Sequence, residues 1–264
     1  MKAAPGVADR QLADLEGLGL DWDGSVIRQS RRLDIYLSYA AKLASYECFC
    51  SRREIAEASQ APHGSYRPYP GTCARLTPAQ RAARRRDRAP ALRVRGGNAA
   101  ATVVDRFAGM VSGRVDDFVL LRADGTPAYN LAVVVDDALQ GVSQVTRGAD
   151  LLASAPRQAW LTNRLGFEVA DYAHLGLVLN QRGERLAKRD HPADMQTLLD
   201  AGLRVRDIFW LLTDSCGFPR TEGPAELLQL VRDEPGLLRD RRLADPVIMD
   251  AHGRLPRPEI TDTP

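Results

Sequence analysis

Tyr129-Asn130-Leu131-Ala132-Val133-Val134-Val135-Asp136-Asp137, followed shortly by Val145-Thr146-Arg147-Gly148-Ala149-Asp150, is the stretch on which the fold turns. Its first half is an apolar run bracketed by polar residues. Its second half closes a predicted strand over 142–147. Open α/β sheets bind ligands beyond the carboxyl ends of their strands, so Arg147 stands where a ligand is expected. A guanidinium can hold a carboxylate through two parallel hydrogen bonds, and Tyr129 can add a hydroxyl. A solvated strand-end Arg and a core Tyr are the plainer alternatives. Asp136-Asp137 suit a metal or a ligand amine, or equally a cap on the turn before Gly141.

Outward from this stretch, helices and strands alternate. Val7, Leu12, Leu15 and Leu18 are spaced for a helix ending near Gly17-Leu18-Gly19. Ser30 is a candidate cap for a second helix with Leu33, Leu37, Ala40 and Leu43 on one face. A strand is expected from Tyr46 to Cys50. Ser51-Arg52-Arg53-Glu54 fits a capping box opening a short helix to about residue 59. A further helix is expected from Thr77-Pro78, a strand over 91–95, and more strands from Asp105 to a turn at Ala123-Asp124-Gly125-Thr126. Beyond these come a helix over 150–165 ended by Gly166, a strand over 174–179, a turn at Asn180-Gln181-Arg182-Gly183, and helical patches at 194–213 and 225–232. The tail from Leu255 is expected to be mobile. The alternation argues for an α/β core.

The chain has 264 residues, 44% hydrophobic and 27% charged, close to globular averages and unlike a disordered chain. No apolar run approaches the ~20 residues that span a bilayer, and Met1 to Gly6 carries no apolar signal core. Four cysteines do not make a disulfide scaffold, so a reducing, cytoplasmic setting is expected. Net charge is +2 but uneven: eleven Arg face three acids between Arg52 and Arg95. Such a stretch attracts phosphate backbones. The competing explanation is codon bias, since the chain holds 33 Arg and three Lys.

Cys48-Phe49-Cys50 and, across a loop, Cys73 have the types and closeness of thiolates around a structural zinc. His63, Tyr66 and Tyr69 are all candidates for a fourth ligand, and plain burial as small apolar residues is the alternative. Cys216 reads as core. Gly183-Glu184-Arg185-Leu186-Ala187-Lys188-Arg189 sets three cations after a Gly turn. Such a loop can close on a polyphosphate, with Lys188 offsetting charge on a transferring phosphate. An exposed basic turn is the alternative. No Walker loop or G-x-G-x-x-G is present.

In order, Tyr129 to Asp137, Val145 to Leu151, Pro156-Arg157-Gln158, His174-Leu175 to Leu179-Asn180 and Arg185 to Arg189 resemble the catalytic domain of glutamyl-type class I aminoacyl-tRNA synthetases. Arg185 to Arg189 stands where that family has its KMSKS loop, with Arg185 for the first Lys, Ala187 for the Ser, and Lys188 kept. The Cys48, Cys50, Tyr69 and Cys73 pattern, and the short run after that loop, resemble the branch that glutamylates queuosine in tRNA(Asp). The resemblance selects Tyr69 as the fourth ligand of one structural Zn²⁺. It implies ATP-dependent activation of L-glutamate without tRNA, then transfer to queuosine in the anticodon of tRNA(Asp). Tyr129 and Arg147 would bind glutamate, Lys188 would contact ATP and stabilise the adenylation transition state, and Mg²⁺ would accompany ATP. The basic 52–95 stretch becomes a tRNA-facing surface, and a monomer is expected.

The expected architecture is α/β, a Rossmann-like (HUP-type) nucleotide-binding domain with an inserted zinc-binding, acceptor-like subdomain and no anticodon-binding domain. Residues 1–45 would be the remaining N-terminal part of the catalytic domain, 46–125 the insert, 126–192 its second half with the KMSKS-like loop, and 193–264 a helical C-terminal segment. The family's first strand and HIGH motif have no counterpart here, so the expectation is of an N-terminally incomplete fold that expresses poorly or aggregates alone. Two further expectations compete with the enzyme: a non-catalytic zinc-containing tRNA-binding module, and ordinary glutamyl-tRNA formation.

Overall fold

The computed structural model describes residues 6–51, 53–55, 68–185, 195–238, 243 and 245–248. The elements, in chain order, are α1 (Val7–Gly17), α2 (Leu33–Ala41), β1 (Ser45–Cys48), α3 (Pro78–Asp87), β2 (Ala91–Val94), β3 (Ala99–Asp105), β4 (Gly109–Val115), β5 (Val119–Leu121) and α4 (Tyr129–Leu139). Then come β6 (Gln144–Gly148), α5 (Ala155–Arg164), β7 (Asp171–Leu175), β8 (Val178–Leu179), α6 (Met195–Asp200), α7 (Val205–Ser215), α8 (Pro224–Asp233) and β9 (Val247–Ile248). The chain divides into two units: Val26–His174, and the described parts of Met1–Ser25 with Leu175–Pro264.

The unit Val26–His174 carries two sheets. One is three-stranded, β1-β2-β5, antiparallel, with Tyr46 opposite Arg93 and Cys48 opposite Ala91. The other is four-stranded, β4-β3-β7-β6. Its β3–β4 hairpin is antiparallel, whereas β3 and β7 run parallel and meet at Asp105 and Tyr172. The corner between β2 and β3 needs a glycine. A Cβ on Gly96 would lie 2.5 Å from the Asp116 carbonyl oxygen and 2.6 Å from that of Val115.

The apolar run at 131–135 is helical. Three of its five residues are valines, which favour strands. Burial of Leu131, Ala132, Val134 and Val135 nevertheless follows helical spacing, and packing decides. These residues meet Tyr36, Val94, Phe118, Leu120 and Leu161 in the main core. Asp136, on the same face, accepts from Tyr36 Oη (2.6 Å), Arg32 Nε (2.9 Å) and Gln29 Nε2 (3.1 Å). It therefore ties α2 to α4, and burial against it pushes the Tyr36 hydroxyl up to about 12. The buried face of α2 is Tyr36 and Ala40, with Leu43 just beyond. Leu33 and Leu37 are exposed, and Arg32, rather than Ser30, occupies the cap position. The tertiary anchor Asp136 rotates the helix away from the face that aliphatic spacing suggests.

Local signals at helix starts act as expected. Thr77 and Gln80 form a capping box on α3, with Pro78 in the first turn. Ser51 and Glu54 exchange the same pair of bonds, and Ile55 bonds back to Ser51. The rest of the helix expected there lies outside the described residues, as does the tail from Leu255. The helix expected over 150–165 is split into a 3₁₀ segment, Ala149–Ser154, and α5, whose end is followed by Gly166 at φ +78°. Pro156 at the second position of α5 accounts for the break, since proline suits a helix's first turn.

The other unit comprises α1, α6, α7, α8 and the short parallel pair β8–β9. Trp210 on α7 donates to the Thr221 carbonyl at 2.7 Å and lies between the guanidinium groups of Arg206 and Arg220, 4.8 and 4.9 Å away. Cys216 caps α7 and is half-buried. Asn180 and Gly183 close the expected turn before Arg185. Among the described residues, no helix is long and apolar enough to cross a membrane.

Candidate functional site

Two groups of side chains in the unit Val26–His174 carry chemistry. The first lies at the end of β1. Cys48 closes the strand, Cys50 follows after one residue, and Cys73 comes back from the loop before α3. The three sulfurs lie within 4.8 Å of one another, with Cys50 Sγ 3.5 Å from Cys73 Sγ. Tyr69 Oη completes the group, 3.3 Å from Cys48 Sγ and 3.5 Å from Cys50 Sγ. A tetrahedral zinc with Zn–S bonds of about 2.3 Å sets sulfurs about 3.8 Å apart, and a sulfur and a bound oxygen about 3.5 Å apart. The donor set therefore fits one small thiophilic cation. Of the three candidates for a fourth ligand, Tyr69 has its hydroxyl beside the sulfurs; His63 and Tyr66 lie outside the described residues.

The thiols of this group shift in opposite directions. Burial, with the neighbouring Cys73 and Cys48 sulfurs, pushes the Cys50 thiol up to about 12, although a hydrogen bond with Tyr69 pulls the other way. Burial and bonds to the Cys48 and Cys50 sulfurs also raise the Tyr69 hydroxyl. Cys73 goes the opposite way: burial opposes its ionisation, but the Phe49 amide, donating at 3.4 Å, and its polar neighbours outweigh that.

The module is wired to the rest of its unit through Asp116. The Tyr69 amide donates to Asp116 Oδ2 at 2.9 Å, and Arg157 Nη2 on α5 reaches Oδ1 at 2.9 Å. Both side chains of this ion pair are nearly buried, 10% and 12% exposed. Burial lowers Arg157 to about 10 and raises the Asp116 carboxyl. Next to Arg157, Gln158 donates to Asn130 at 3.0 Å. Arg157 and Gln158 are thus scaffolding between α5, the Cys module and the start of α4. Sequence reasoning quoted them only as part of a resemblance.

The second group gathers at the carboxyl ends of β6 and β7. Arg147 on β6 donates from Nη1 to Tyr129 Oη at 3.5 Å, which joins the two residues proposed for glutamate. Tyr129, the first residue of α4, is 46% exposed. Arg147 Nη2 reaches the Leu151 carbonyl at 3.4 Å, and Nε donates to His174 Nε2 at 3.0 Å. The Tyr172 ring lies 5.6 Å from the guanidinium carbon. Asp137 borders the group; burial and Asp136 raise its carboxyl, and Arg147 draws it back. Lys188 lies outside the described residues. Asp105, which with His174 backs Arg147, gave no signal in the sequence, since it acts from 69 residues away.

Residues 1–202 match the family described as tRNA synthetases class I (E and Q), catalytic domain. The chain belongs to that family. A glutamate tRNA ligase from Elizabethkingia meningosepticum, solved with its amino acid, superposes with a TM-score of 0.68 at 20% identity, over 95% of this chain and 58% of that one. The glutamate-tRNA synthetase of Elizabethkingia anophelis gives 0.69 at 21% identity over 95% of this chain and 59% of its own, so this chain spans less than two thirds of either. These fix the fold as the Rossmann-like class I catalytic domain, here with a small Cys-cluster insert. Among curated relatives, the glutamyl-Q tRNA(Asp) synthetase of Nocardia farcinica is 50% identical over 93% of this chain and 82% of its own length. That of Cutibacterium acnes is 52% identical over 88% and 67%. Within the class I family the chain therefore belongs with the glutamyl-Q tRNA(Asp) synthetases.

Proposed function

We propose that the chain activates L-glutamate with ATP and transfers the glutamyl group to queuosine in the anticodon of tRNA(Asp), in the cytoplasm. The observation that carries this reading is the meeting of Tyr129 and Arg147 at the strand ends of this fold. Arg147 takes a glutamate carboxylate with two guanidinium N–H groups while Tyr129 adds its hydroxyl. With Arg147 and Tyr129 on the side-chain carboxylate, an oxygen of the α-carboxylate attacks the α-phosphorus of ATP, the bond to the β-phosphate oxygen breaks, and pyrophosphate leaves. Lys188 offsets the negative charge that builds on the phosphate oxygens. Queuosine then displaces AMP from the glutamyl carbonyl. Mg²⁺ accompanies ATP and neutralises its phosphates. The chain's own contribution is positioning and charge stabilisation.

Zn²⁺ is the cation proposed for Cys48, Cys50, Tyr69 and Cys73, in a structural role that fixes the end of β1. The three-thiolate set, with the Tyr69 hydroxyl beside it, supports that role. The arginine-rich 52–95 stretch, including α3, is proposed as the tRNA-facing surface.

Glutamate-dependent ATP–pyrophosphate exchange, measured without tRNA against Lys188→Ala, tests the first half of the reaction. Exchange abolished by the substitution is the expected result. Absence of exchange in folded, zinc-loaded protein overturns it. Labelled glutamate found on the anticodon queuosine rather than on the tRNA 3′ end tests the second half.

A further inference from the structure

We infer that His174 and Asp105 are positioning residues that hold Arg147 so that its two Nη groups, and not its Nε edge, receive the substrate carboxylate. The inference deepens the reading of Arg147 as a glutamate-binding residue and rests on it. Arg147 Nε donates to His174 Nε2 at 3.0 Å. An N–H is received only by a bare ring nitrogen, so the ring proton sits on Nδ1. Nδ1 faces Asp105 Oδ2 at 2.7 Å, which fixes the same tautomer from the other side.

The pair is locked in place. His174 and Asp105 are both 2% exposed. Oδ2 also accepts the His174 backbone amide at 3.1 Å. Oδ1 accepts the amides of Phe107 and Ala108, at 3.0 and 2.8 Å. Oδ1 is thus held by the β3–β4 turn and Oδ2 by β7. Tyr172 lies against the His174 ring, with centroids 5.9 Å apart and 16° between planes.

The consequence concerns the guanidinium. Arginine offers a carboxylate two forked edges, Nε with one Nη, or both Nη groups together. His174 occupies Nε with a bond of ordinary length. The Nη bonds to Tyr129 and the Leu151 carbonyl, at 3.5 and 3.4 Å, are long and easily exchanged. A carboxylate fills both Nη donors. A carboxamide has one acceptor oxygen and turns N–H groups toward the second donor. The edge that His174 fixes therefore selects glutamate over glutamine.

The test uses the full chain with three variants. His174→Phe removes the acceptor and keeps a ring, His174→Gln keeps an acceptor oxygen, and Arg147→Ala sets the floor. His174→Phe is expected to raise the glutamate KM in ATP–pyrophosphate exchange roughly 10- to 100-fold, with the ATP KM within about two-fold and glutamate-over-glutamine preference reduced. His174→Gln recovers most of the loss. A folded His174→Phe with unchanged glutamate KM overturns the proposal. Because that variant strands Asp105 and can fail to fold, NMR of the unsubstituted chain gives a second readout. The Arg147 Nε–H is expected to be protected from exchange and His174 to be in the Nδ1–H form; an unprotected Nε–H overturns the proposal. If the unsubstituted chain does not bind glutamate, the functional reading fails while the NMR result still decides the positioning.

Discussion

At the scale of residues, the glutamate site proposed at Tyr129 and Arg147 depends on geometry more than on charge. Arg147 makes its contacts from three different nitrogens, and a lysine offers a single point of charge with no fork. Arg147→Lys is expected to cost about 100-fold in kcat/KM for glutamate despite the retained charge, which steady-state exchange kinetics would show. Asp105 carries a pH signature. Burial pushes its carboxyl up, but the Ala108 amide, the His174 ring and the Phe107 amide together hold it below the usual range. A carboxyl whose folded pKa is depressed contributes stability above its unfolded pKa, near 4 for Asp, and loses it as pH falls through the folded value. Asp105→Asn is therefore expected to be less stable than the parent at pH 7, with the gap closing below about pH 4. Denaturant melts at both pH values check this, and a gap that persists in acid contradicts it.

At the scale of elements, two junctions hold the Cys module to the catalytic core. The first is the β2–β3 corner, where Gly96 passes so close to the backbone of 115–116 that no side chain fits. Gly96→Ala is expected to cost about 2 kcal/mol, read as a lower urea midpoint at unchanged slope, because the obstacle is backbone and cannot rotate away. The second is the Asp116–Arg157 pair. Burial disfavours the charged form of each partner, and their pairing offsets part of that cost for both. Arg157→Leu is expected to destabilise by about 3 kcal/mol, and adding Asp116→Asn, which can still accept from the Tyr69 amide, to restore most of it. A double variant no more stable than the single one contradicts the assignment.

At the scale of the whole molecule, the metal module and the catalytic sheet share the unit Val26–His174 and meet through Asp116. If the Cys cluster holds the zinc proposed for it, chelation lowers the melting temperature of that unit as a whole. Cys73→Ser should do the same and abolish stoichiometric zinc, as elemental analysis and calorimetry would show. A melt unchanged by chelator contradicts the module's structural role.

What the sequence determined by itself was local or strongly typed. The capping box at Ser51, the helix start at Thr77-Pro78, the stop at Gly166 and the strand carrying Arg147 depend on neighbours a few positions away, so they are legible without a fold. The three cysteines are legible because few residue types bind soft metals. Tertiary structure decided the rest. Val133, Val134 and Val135 became helical because the core accepts a helix there, and α2 turned its Tyr36 face inward because Asp136, 100 residues on, needed a donor. Asp105 found His174 across a parallel strand pair, and Asp116 found both Tyr69 and Arg157. Buried charges must be paired, but no periodicity records which distant residue does the pairing. That information exists only once the sheets have closed and water has been driven out.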